Sequence, residues 1–225
     1  MGAGTSEANN GLEVLCRSVY TETAAFYREI QATLGRNAFG YKILYSPPHH
    51  RPPILFIGYQ PGGSAVDALE GEELGERDGW PSVSEYAVAS WPLAVQLRRM
   101  FGSDLVSRSV GLNAIFLRAP SNKDYIRSTG QDKVRVFSFC RERVEAMVRA
   151  MEPERIVVLG LATLRLFSAT RPDLISPSGR TLTELGSIAH QSAMSILHPS
   201  GAQQSTTDRT AIASHVLHAG RNIRS

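Results

Sequence analysis

Apolar residues in the N-terminal part of the chain recur at helical spacing: Leu12, Leu15, Val19, Phe26, Ile30 and Leu34 stand three, four or seven positions apart. This predicts an amphipathic helix over 12–34, with Gly35 as its stop. A different pattern follows. After the proline-rich stretch YSPPHHRPP, residues 54–57 are apolar at every position and end on Gly58, which predicts a short strand buried on both faces. Similar runs occur at 110–117, 156–159 and 193–197, separated by helical patterns at 92–101, 132–151, 162–167 and 207–218.

Strands that alternate with helices imply right-handed crossovers and a parallel sheet covered on both faces. The predicted fold class is α/β, a three-layer α/β/α sandwich around a central, mainly parallel four-stranded sheet. With 225 residues, 42% of them apolar and 20% charged, the chain fits a single domain over 1–225, in which 1–50 supply the N-terminal helix and lead-in. Residues 64–90 are rich in Gly, Glu and Ser and are expected to form a flap over the functional site.

Composition narrows the classes further. No apolar run reaches the roughly 20 residues that span a bilayer, and MGAGTSEANNG lacks the basic and apolar regions of a signal peptide. The expectation is a cytoplasmic, monomeric protein with no membrane partner. Cys16 and Cys140 are the two cysteines, which excludes a disulfide framework or a four-cysteine metal or iron-sulfur site within one chain and makes both expected core thiols. No metal and no organic cofactor is expected. The net charge of +3 mildly favours a polyanionic partner. Arg98, Arg99, Arg108, Arg118, Lys123, Arg127, Lys133, Arg135, Arg141 and Arg143 concentrate in mid-chain, as a basic surface or as solvated helix faces.

Ligands in parallel sheets sit at the carboxyl ends of the strands. That rule selects GYQPGG, RAPSNKD, GLA and HPSGAQQS. In the first loop, the glycines let backbone amides approach a ligand, although a plain tight turn would look the same. The spacing is not that of a dinucleotide fingerprint. Asn113, inside the second apolar run, is costly to bury unless its amide finds partners, and it can pair with an edge that presents both a donor and an acceptor. His198 follows the fourth run, where its imidazole would enter the same crevice.

Together, ILFIGYQPGG, GLNAIFLRAPSNKD, IVVLGLA and ILHPSG resemble, in this order, the signature segments of uracil-DNA glycosylases. The resemblance implies an enzyme that hydrolyses the bond between uracil and deoxyribose in DNA and leaves an abasic site. It assigns base binding to Gly58, Tyr59, Pro61 and Gly62, recognition of uracil to Asn113, and polarisation of the departing base to His198. Excision leaves negative charge on a carbonyl oxygen of the base, so a donor aimed there stabilises the transition state.

Several positions depart from the family pattern. Gln60 stands where the best-known members carry Asp or Asn; it can hold a water but cannot act as a general base. Gly62 stands where they place a tyrosine that excludes thymine. The aromatic ring on which the base stacks falls to Trp80, in preference to Tyr86. RAPSNKD is similar to the segment of the iron-sulfur glycosylases, whose cluster the cysteine count excludes. The resemblance also implies that the loop with Gly201, Ala202 and Gln203 contacts DNA, but HPSGAQQS lacks the leucine that members push into the duplex, and Ala202 and Gln203 are poor wedges. Single-stranded or mispaired uracil-containing DNA is therefore the expected partner. Ser64, Ser121, Lys123, Ser200, Ser205 and Arg209 are the expected phosphate contacts. A lyase needs an amine, and Lys123 is the single lysine of these loops, so a monofunctional enzyme is expected. Two other readings stay open: a catalytically weak or inactive binder of single-stranded or base-damaged DNA, favoured by Gln60, and a nucleotide-handling enzyme that holds phosphate on GYQPGG.

Overall fold

A computed structural model describes residues 3–34, 39–62, 80–200 and 204–219. In chain order its main elements are α1 (Ala3–Leu34), β1 (Leu55–Gly58), α2 (Glu85–Val88), α3 (Pro92–Phe101), α4 (Ser103–Ser107), β2 (Val110–Asn113), α5 (Asn122–Thr129), α6 (Lys133–Met151), β3 (Ile156–Leu159), α7 (Leu161–Leu164), β4 (Arg171–Ile175), β5 (Thr181–Ile188), β6 (Gln191–Ile196) and α8 (Thr206–Ala219). One sheet runs in the order β2-β1-β3-β6-β5-β4.

The pleat divides the apolar side chains between two layers. Leu55 and Ile57 of β1 and Ile156 and Val158 of β3 pack with Cys16, Val19 and Ile30 of α1 and with Cys140, Val144 and Met147 of α6. Their neighbours Phe56, Val157 and Leu159 pack on the opposite face with Leu97 and Phe101 of α3 and with Ile212 and Val216 of α8. Helices on both faces explain why these strands are apolar throughout rather than alternating. Both cysteines are buried free thiols, and burial pushes each up to about 12.

Three corrections to the sequence reading follow. The four predicted strands are the parallel set, β2-β1-β3-β6, but β5 and β4 extend the sheet in antiparallel fashion to six strands. Neither carries an apolar run. RPDLI of β4 is an edge strand with only Leu174 half-buried. In β5 a carboxylate lies inside: Glu184 accepts from both Arg165 Nε, at 3.1 Å, and Thr170 Oγ1, at 2.7 Å, and the Arg165 guanidinium holds its carboxyl below the usual range. Second, β2 stops at Asn113, so the amide stands on the rim of the sheet rather than within a strand to 117. Third, the lead-in is part of the structure that holds the site. Lys42 N donates to Phe116 O and Tyr45 N to Gly111 O, both at 2.8 Å, with antiparallel bridges Tyr41↔Leu117 and Leu44↔Leu112. Residues 41–45 thus flank the open edge of β2.

Candidate active site

The carboxyl ends of β1, β2 and β6 open into a cavity of about 740 Å³. Gly58, Tyr59, Gln60 and Gly62 enter from the first loop, Asn113 from the second strand, and His198 and Ser200 from the loop after β6. Residues that the sequence reading did not assign to the site also line it, among them Lys42, Tyr45, Glu85 and Trp91.

Asn113 is 2% exposed, and its Nδ2 donates to Lys42 O at 3.3 Å. A carboxamide has two N–H groups and an oxygen that accepts twice, so this bond does not exhaust it. Gly58 makes room for it, because a Cβ there would lie 2.9 Å from Asn113 Oδ1. The amide also faces the Tyr45 phenol, whose pKa burial raises and the Asn113 hydrogen bond partly lowers.

Gln60 is fixed at one end. Its Nε2 donates to Ala119 O at 3.4 Å, whereas Oε1 is buried with no hydrogen-bond partner among the described residues. A buried, unsatisfied acceptor on the wall of a cavity is unusual enough to call for a ligand. At His198 the N–H of Ser200 points at Nδ1, 3.4 Å away. Nδ1 is then the acceptor of the ring, which leaves Nε2–H as its donor. Burial lowers the His198 pKa, so the imidazole is neutral at pH 7.

Two buried or half-buried charges sit beside this trio. Lys42 Nζ is 2.7 Å from Glu85 Oε1 and 5.0 Å from the centre of the Tyr45 ring. Glu85 N donates to Tyr45 O at 2.7 Å, tying α2 to the lead-in and fixing the pair. No motif signal marks Lys42; only its lone charge among the apolar neighbours of FGYKILY could have drawn attention to it.

Aromatic assignments change. Trp80 lies against α1, with the Arg17 guanidinium 4.4 Å above its ring and Tyr20 6.0 Å away, and is not among the cavity residues. Tyr86 is 2% exposed and stacked on Tyr45 at 5.0 Å, so it forms part of the wall from inside. Gly111 permits this, since a Cβ there would stand 2.4 Å from Tyr86 Cε2. Trp91 is the outer aromatic, 38% exposed and edge-on to Tyr45 at 6.3 Å.

The expected phosphate contacts are dispersed. Ser121 caps α5 by accepting from Asp124 N at 3.1 Å, and Ser205 caps α8 by accepting from Asp208 N at 3.0 Å. Lys123 is exposed on the first turn of α5, and Arg209 lines a separate groove between α3 and α8 with Gln96 and Arg99. Pro61 is buried within its loop. Ser64, Gly201, Ala202, Gln203 and most of the expected flap lie outside the described residues. The mid-chain basic residues do not form one surface: Arg135 pairs with Glu29, Arg143 with Glu22 and Arg141 with Glu145, while Arg118 reaches the cavity.

The model of the uracil DNA glycosylase superfamily matches residues 45–218. The chain belongs to that superfamily. Its members are DNA glycosylases, so DNA is its partner and DNA repair its setting. No curated protein matches the chain. The superfamily match begins at Tyr45 and leaves Lys42 outside it.

Proposed function

We propose that this glycosylase hydrolyses the N-glycosidic bond of uracil in DNA and leaves an abasic site, using no metal or organic cofactor. The reading rests on one observation: Asn113, His198 and Gln60, from three separate strand ends, line a single cavity. Asn113 reads the donor and acceptor edge of an everted pyrimidine. As the bond from C1′ to the base breaks, its electron pair leaves with the base, and His198 Nε2–H stabilises the charge on the carbonyl oxygen. Gln60 Oε1 accepts a hydrogen bond from the water that attacks C1′, and the proton of that water passes to solvent, because an amide cannot take it.

Single-stranded or mispaired uracil is the preferred substrate. Extruding a paired base costs a few kcal/mol, far less from a single strand, and HPSGAQQS has no large apolar wedge. Trp91 offers a neighbouring base an aromatic face at the cavity, a sequence-tolerant contact suited to single strands. Release of free uracil from single-stranded and matched duplex oligonucleotides tests the proposal. Faster release from the single strand supports it, and faster release from the duplex overturns the preference. A gel shift with no release identifies a non-catalytic binder, the reading that Gln60 favours.

A further inference from the structure

The expectation of a monofunctional enzyme rests on the lack of an amine near the reacting sugar, and the cavity contains one. Lys42 shares the chamber with Gln60, Asn113 and His198, its side chain 9% exposed and 2.7 Å from Glu85. With its cation buried and its carboxylate half-buried, this ion pair contributes little to stability, because desolvation offsets much of the attraction. Amines become nucleophiles when desolvated or set beside another cation. Both influences act here: burial is the main cause that lowers the Lys42 pKa, and the Arg118 charge adds to it, against the opposing pull of Glu85.

We propose that Lys42 is the nucleophile of a second activity, cleavage of the DNA strand at an abasic site. Glu85 takes a proton from the Lys42 ammonium, and the freed lone pair attacks the C1′ aldehyde of the ring-opened sugar. The C1′–Nζ bond forms while the carbonyl electron pair moves to oxygen. Glu85 returns its proton to that oxygen and then carries one N–H proton of the resulting carbinolamine to the same hydroxyl, which leaves as water as the nitrogen lone pair forms the C1′=Nζ bond, and a protonated imine remains. Loss of a C2′ proton to the carboxylate then forms the C2′–C3′ double bond, and the C3′–O bond breaks with its electron pair on the departing 3′ phosphate. One water hydrolyses the imine and regenerates the amine, with no net oxidation or reduction. The inference rests on the proposed function only for the source of the abasic site.

The test uses a single-stranded oligonucleotide with a preformed abasic site, incubated with the full chain and sodium borohydride, which reduces an imine to a stable amine. The expected result is a covalent protein–DNA band with the wild type and none with Lys42→Ala or Lys42→Arg. Arginine retains the charge opposite Glu85 but forms no such imine, and its melting temperature reports whether the fold survives. Absence of the band with the wild type overturns the proposal, as does a band that persists in a folded Lys42→Arg variant. A parallel assay of uracil release separates the two claims. A Lys42-dependent band without release removes the glycosylase reading alone, and release without a band removes the lyase alone.

Discussion

The carboxamide oxygen of Asn113 lies over the Cα of Gly58, so close that a methyl group there would stand 2.9 Å away. The contact joins the first strand to the residue proposed to read the base. Gly58→Ala must therefore push the Asn113 side chain aside, and a displacement of about 1 Å in a positioning group costs on the order of a hundredfold in rate. Excision by Gly58→Ala is expected to fall by that order, with the melting temperature nearly unchanged because the contact is with a side-chain end. Unaltered excision would show that this placement of Asn113 is dispensable.

Gly111→Ala is expected to do the opposite. Its Cβ would meet the Tyr86 ring at 2.4 Å, and that ring is held between Tyr45 and Phe56. Overpacking of this kind costs roughly 1–3 kcal/mol, and in a protein of this size each kcal/mol lowers Tm by about 2–4 °C. Calorimetry of the variant measures the loss directly.

The His198 titration has a defined sign. Burial lowers its pKa from the ordinary 6.5. Between the folded and unfolded values, the unfolded chain binds more protons, so stability falls as pH drops below about 6.5 and levels off below the folded pKa. An NMR titration of the imidazole should give a midpoint under 6.5, and the stability difference between wild type and His198→Gln should shift against the wild type over the same interval. A midpoint above 6.5 would contradict the neutral donor.

Trp91 carries a prediction about single strands. Trp80 and Trp91 are the two tryptophans, so in a Trp80→Phe background fluorescence reports Trp91 alone. Binding of a single-stranded oligonucleotide should quench it. Trp91→Ala should weaken binding by roughly 1–3 kcal/mol, the value of one stacked base, or about 5- to 150-fold in Kd. Equal affinity in the variant would exclude stacking.

The parallel half of the sheet was legible because burial on both faces leaves uninterrupted apolar runs, as in 54–57 and 156–159. β4 and β5 were not, since one is an exposed edge and the other hides Glu184 behind Arg165, so neither reads as apolar. Within the site, Gly58 and His198 follow from their places at strand ends, and Asn113 from being an amide inside an apolar run. Lys42 and Tyr45 do not, because they come from a lead-in whose position is set by hydrogen bonds to β2 and the residues after it, a long-range relationship with no local signature. Trp80, preferred to Tyr86 as an aromatic of the first long loop, has no local signal of its true place; the structure spends it on covering α1.

The central claim is that Asn113 and His198 act on one everted uracil. Its most direct measurement is repeated-turnover release of uracil from single-stranded DNA, scored as alkali-labile sites, by the wild type, Asn113→Ala and His198→Ala. The account predicts catalytic release by the wild type and a loss of about 10²–10³ in His198→Ala, the usual effect of deleting a transition-state donor, with Asn113→Ala also impaired. Release at the wild-type rate in both variants would contradict it.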